Sequence, residues 1–180
     1  TSEETNLNAL TTLAATVAQK SIASGETVEL DTIISSAKST VATTLGIDPE
    51  NVDQDYLKVK NPASLAAAAQ INSVLSVVAS TTGGSTSSAS NEAALDSFAA
   101  LITDSSGTVD LTSTDSMKTL IETAATTTGT SIDASAVENV AAITTSVVTA
   151  IKNIDTSSND LNTFASLETI AHAANTVADT

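Results

Sequence analysis

The sequence predicts an all-α protein, an antiparallel helical bundle of about seven or eight helices in two pseudo-repeated halves. Three observations lead there. Apolar residues recur at steps of three and four along most of the 180 residues. Asn/Asp-Pro pairs and single glycines bracket those runs as helix starts and stops. The alphabet is rich in Ala, Ser and Thr, and aromatic residues are only 2% of the chain. A buried Ala contributes far less than a Leu or Phe, whose full burial is worth roughly 1.5–3 kcal/mol. Many close helix–helix contacts through small side chains must therefore replace a few large ones.

Each element has its own signal. Leu7, Leu10, Ala14, Val17 and Ala18 mark a first amphipathic helix. Leu30, Ile34, Ala37, Val41 and Leu45 form the stripe of a second, with Gly46 as its C-terminal stop. Thr27 to Leu30 reads alternatively as a short extended piece. Asp48 and Pro49 open a short turn ending near Leu57. Asn61 and Pro62 repeat that signal before a long Ala-rich helix carrying Leu65, Ile71, Val74, Leu75 and Val78. The uncharged run Thr81 to Asn91, with Gly83 and Gly84, is the strongest breaker.

Beyond it, Leu95, Phe98 and Leu101 echo the opening helix. A segment with Val109 and Leu111 matches the one with Val28 and Leu30, and Ile132–Asp133 matches Ile47–Asp48. Val137, Val140, Thr144, Val147, Ile151 and Ile154 line a long helix corresponding to the one opened by Pro62. Leu161, Phe164, Leu167, Ala171, Ala174 and Val177 line a last one. The expected division is a first helical half at 1–82, a connection at 83–91 and a second half at 92–180, packed separately or as one domain. Duplication and the shared composition of Ala/Ser/Thr-rich helices both account for the likeness. Thr is a modest helix former, so the stability of such helices must come from tertiary packing.

Composition excludes several function classes. With 21 acidic residues against 6 basic ones, the formal net charge is -15. Nucleic acid is then not an expected partner, because phosphate binding needs clustered Lys and Arg. Absence of Cys removes disulfide, iron–sulfur and thiol chemistry. Ala63 to Ala79, the most apolar stretch, is interrupted by Ser64, Gln70, Asn72, Ser73 and Ser76, so no membrane span is expected. The opening TSEETNLNAL lacks the basic and apolar regions of a signal peptide, which suggests an excised module or a processed product.

Candidate chemistry is sparse. His172, the one histidine, has Glu168 four residues before it on the same predicted helix, with no marked nucleophile nearby. A structural histidine is the simpler reading. The acidic run Asp48, Glu50, Asp53 and Asp55 is the candidate metal site, for calcium, although an EF-hand loop needs an interior glycine that this run lacks. Capping by Asp48 and solvation explain it otherwise. The loop Asp104 to Asp110 and the group Asp155, Asn159 and Asp160 are further oxygen-rich candidates. Ala66 to Gln70 offers a flat small-residue surface, for a partner or for internal helix contact. No P-loop, dinucleotide fingerprint, HExxH or CxxC occurs, so no cofactor is assigned and no enzyme is expected.

Two passages, Leu7 to Asp48 and Pro49 to Ser80, resemble a helical module of very large secreted bacterial surface or adhesin-like proteins. Such proteins often carry cadherin-like or haemolysin-type calcium-binding repeats. The shared pattern is Leu10 to Leu13, Gly25, Leu45 to Ile47, the acidic turn Asp48 to Asp55 and the helix Pro62 to Ala79. It covers roughly the first 80 residues, and the second half departs from it. The resemblance implies an extracellular or cell-surface location and a structural or adhesive role, with no catalytic residues to carry over. The expected function is a non-catalytic structural or interaction module with a protein partner or self-association. A small apolar ligand- or pigment-binding protein and a self-assembling surface protein are the alternatives.

Overall fold

The computed structural model describes residues 8–25, 28–55, 58–84, 87–104, 109–157 and 165–166. The described residues form these elements: α1 Ala9–Ala23, α2 Leu30–Leu45, the 3₁₀ turn Pro49–Asn51, α3 Pro62–Thr81, α4 Ser88–Asp104, α5 Thr114–Thr128 and α6 Ala134–Lys152, joined by turns and loops. The protein is an all-α helical bundle, as the periodicity predicts. The last predicted helix, with His172 and Glu168, falls outside the described residues apart from Ala165 and Ser166.

The punctuation works through identifiable bonds. The Asn8 side chain accepts from the Leu10 and Thr11 amides at 2.8 and 3.0 Å, and Thr11 Oγ1 accepts from the Asn8 amide, a reciprocal cap on α1. Asn61 Oδ1 accepts from the Ser64 amide at 3.2 Å while Pro62 takes the first turn of α3. Gly46 and Gly129 close α2 and α5 with the same left-handed turn, φ +69° in both. Ile47 N–H reaches the Ala42 carbonyl at 3.0 Å and Thr130 N–H the Ala125 carbonyl at 2.9 Å. Both ends are Schellman motifs, which a residue with a Cβ adopts only at a cost.

Helix hydroxyls fold back on their own helices. Thr16, Thr40, Thr43, Ser73, Thr81, Thr119, Thr123, Thr126, Thr127 and Thr144 each donate to the carbonyl four residues earlier, at 2.7–3.0 Å. A satisfied hydroxyl is tolerated on a packed face, so Thr144 lies 1% exposed inside the bundle.

One buried cluster joins residues from both halves, including Leu10, Leu13, Val41, Ile71, Val74, Phe98, Ile102, Leu120 and Ile121. A satellite of Ala66, Ala69 and Ile151, flanked by Leu65, Val147 and Ile154, seals α3 against α6. Ala66 to Gln70 is buried throughout, so the small-residue surface serves internal helix approach.

The halves correspond as hairpins: α1 packs on α2 as α4 packs on α5, and α1 meets α4 while α3 meets α6. They differ beyond the glycine caps. In the second half Asp133 caps α6 directly, accepting from Ser135 N–H at 2.8 Å. In the first half the acidic stretch after Asp48 intervenes before Asn61. There α2 packs on the 3₁₀ turn, where α5 packs on α6.

Several expectations need correction. On α2 the buried line is Ile33, Ala37, Val41 and Ala42, while Leu30 and Ile34 are exposed. The buried line of α6 is Val137, Ala141, Thr144, Val148 and Ile151, with Val140, Val147 and Ile154 half-buried. Both stripes are rotated because each helix packs to one side. Val28 and Leu30 are 53% and 57% exposed, whereas Val109 and Leu111 are 5% and 4% exposed, so the matched segments occupy opposite environments. Leu30 already begins α2, whereas Leu111 precedes α5 in a turn that tucks it inward. Helix α4 begins at Ser88, so regular structure takes over the last part of the Thr81–Asn91 breaker. Finally, α3 and α6 are long and apolar enough to cross a membrane by length and composition, despite the polar interruptions, with mean hydropathies of 1.4 and 1.3. The α3 window is 67% buried in the bundle, which accounts for its apolar character.

Candidate functional site

Where α2 ends, the middle of α3, the turn before α5 and the end of α6 converge on a cavity of about 360 Å³. It is lined by Thr43, Thr44, Leu45, Gly46, Gln70, Val109, Asp110, Leu111, Thr112 and Lys152. Each polar group arrives there for a local reason. The Gly46 turn ends α2 and presents its last-turn residues, with the negative end of the helix dipole, to the cavity. Gln70 follows four alanines on α3 and is 7% exposed. Asp110 Oδ1 accepts from the Thr112 amide at 2.9 Å and the Thr112 hydroxyl at 2.6 Å, an Asx turn that sends Val109 and Leu111 inward. Lys152 closes α6, where a cation suits the helix C-terminus.

The electrostatics are asymmetric. The Thr112 hydroxyl, then the Thr112 amide, holds the Asp110 carboxyl below its ordinary value; slight burial opposes this and the nearby Lys152 charge adds to it. Asp110 is therefore an anion at neutral pH. Lys152 forms no ion pair among the described residues. The Thr44 hydroxyl is buried without a hydrogen-bond partner among them. The lining is mostly polar, so this cavity does not suit an apolar ligand or pigment.

The acidic run behaves differently. Asp48 holds the N-cap position of the 3₁₀ turn without a side-chain cap bond. Asp53 pairs with Lys38 of α2. Asp55 Oδ1 accepts from the Lys58 amide at 3.1 Å, and Glu50 is exposed. The described residues contain no group of three or more acidic or histidine side chains placed to hold a metal ion. Calcium at this turn has to displace the Lys38 ammonium from Asp53. Asp155 accepts from the Ser157 amide and hydroxyl, while Asn159 and Asp160 lie outside the described residues. Of the loop Asp104 to Asp110, residues 105–108 also lie outside; Asp104 is exposed and Asp110 enters the cavity.

Asp110 is thus the sequence candidate that reaches a concave site. Thr44 and Lys152 carry no sequence signal of their own. Gln70 does carry one, as the first long polar side chain after four alanines.

Comparison with protein-family models, with curated proteins and with solved structures finds no match. The likeness to surface-protein modules rests on sequence motifs alone.

Proposed function

We propose that the chain is a non-catalytic interaction module of an extracellular bacterial surface or matrix protein, docking through the end of α1 and the start of α2. The observation that carries this reading is the exposure of large apolar residues there. Ile22 in the last turn of α1, Val28 before α2, and Leu30 and Ile34 in its first turns are 48%, 53%, 57% and 37% exposed. Grouped exposed apolar residues of this kind mark interaction sites. Glu29 and Asp31 flank Leu30, so the complementary partner surface is apolar and rimmed by Lys or Arg. A strongly acidic, hydroxyl-rich exterior elsewhere supports a soluble spacer role.

The test uses labelled module added to intact cells that produce the parent protein. Binding is expected to be saturable and weakened by salt. Val28→Asp with Leu30→Asp is expected to reduce it at least about tenfold with unchanged helicity and melting temperature, since both side chains are exposed. Equal binding by wild type and double variant, or none by either, contradicts the reading.

A further inference from the structure

We propose that the cavity between the end of α2, Gln70, Asp110 and Lys152 binds a small zwitterion, a free α-amino acid with a polar side chain. The ligand ammonium sits against Asp110 and the carbonyl end of α2. Its carboxylate meets Lys152, and its side chain meets the Gln70 amide.

Three observations converge on that chemistry. Gln70 is more than nine-tenths buried and lines the cavity, and no side-chain hydrogen bond holds its amide among the described residues. A polar ligand can take up those free donors and acceptor. Asp110 and Lys152 both line the cavity yet form no salt bridge with each other. Opposite charges that line one cavity without pairing fit a molecule that carries both. The volume of about 360 Å³ lies in the lower part of the roughly 300–1,000 Å³ range of small-molecule pockets.

Other ligand classes satisfy fewer of these groups. An apolar molecule leaves the Gln70 amide unpaired. A divalent cation is repelled by Lys152. A simple anion meets Asp110, the negative end of α2 and a chain of net charge -15. A neutral polyol pairs with the hydroxyls and the amide but gains little from the separated charges, and it serves as the control.

The experiment is an NMR titration of the full chain with L-glutamine, L-asparagine, L-serine, D-glucose and glutarate, reading the Gln70 side-chain amide and the Thr112 backbone amide. L-Glutamine is expected to give saturable shifts, and the two controls are not. Lys152→Gln and Asp110→Asn are expected to weaken glutamine binding at least about tenfold each. Asp110→Asn keeps the side-chain oxygen that accepts from Thr112, and Lys152 is exposed, so both variants retain the fold. The proposal is overturned if glutamine, asparagine and serine all give no saturable shift. It is overturned equally if glucose binds as well as glutamine and neither variant matters.

Discussion

The two hairpins, α1–α2 and α4–α5, share a plan and end in opposite environments. Both second helices stop at a left-handed glycine with the same pair of backbone bonds. Yet the approach to α2 leaves Val28 and Leu30 in solvent, while the approach to α5 buries Val109 and Leu111. The cause is topological. After Gly129 the chain runs almost at once into α6, which packs on α5. After Gly46 it detours through the acidic stretch, and α2 gets the short 3₁₀ turn as its neighbour instead. The same contrast separates α3 from α6, which are nearly equal in length and mean hydropathy but 67% and 28% buried over their most apolar windows. Apolar content marks what can be buried; the order of connections decides what is.

The sharpest way to break this comparison is to exchange residues at equivalent places. Registered on their glycine caps, Lys38 on α2 stands where Ile121 stands on α5. Ile121 is fully buried, so Ile121→Lys places an unpaired charge in the core and is expected to cost more than about 4 kcal/mol or to prevent folding. Lys38→Ile removes only a partly exposed pair with Asp53 and is expected to change stability by less than about 1 kcal/mol. Urea denaturation of both variants reads the asymmetry; equal losses would erase it.

The glycine caps should instead behave alike. Gly46→Ala and Gly129→Ala each force a Cβ into the left-handed region, and each is expected to cost about 1–2 kcal/mol. Neither cap has atoms near the added Cβ, so the loss is conformational. A difference between them larger than their errors would mean that the ends are not equivalent.

The smallest expected effect is an acid response at three carboxyls of the second half. Hydroxyl and amide donors of Thr112, Ser135 and Ser157 hold the carboxyls of Asp110, Asp133 and Asp155 below the ordinary value of 3.8. A depressed carboxyl contributes stability that is fully present above its unfolded-state value and lost as pH falls through its folded-state value. The amide signals of those three donors should therefore move at lower pH than those beside an ordinary aspartate. Titration of all three carboxyls at the ordinary value would remove this contribution.

Much of the fold is legible in the sequence. Asn61–Pro62, Gly46 and the three-and-four spacing place α1, α2 and α3 because those signals act through local backbone chemistry. Side-chain orientation is less legible. Leu30 and Ile34 fit the stripe of α2 as well as Ile33 does, and only the neighbours of α2 choose between them. The match of Val28 and Leu30 with Val109 and Leu111 is real as a pattern, but helix α2 starts at Leu30 and α5 starts beyond Leu111. The cavity is still less legible, because Thr44, Gln70, Asp110 and Lys152 come from four separate elements. Of these, Asp110 and Gln70 stand out locally, while Lys152 gains its meaning only from where α6 ends.

The most direct measurement is the unfolding free energy of Leu30→Ala against that of Leu111→Ala under identical conditions. The difference in burial predicts less than about 0.5 kcal/mol for Leu30→Ala and about 2–5 kcal/mol for Leu111→Ala. Comparable losses at the two positions would contradict the claim that one hairpin approach is sealed into the core and the other is left in solvent.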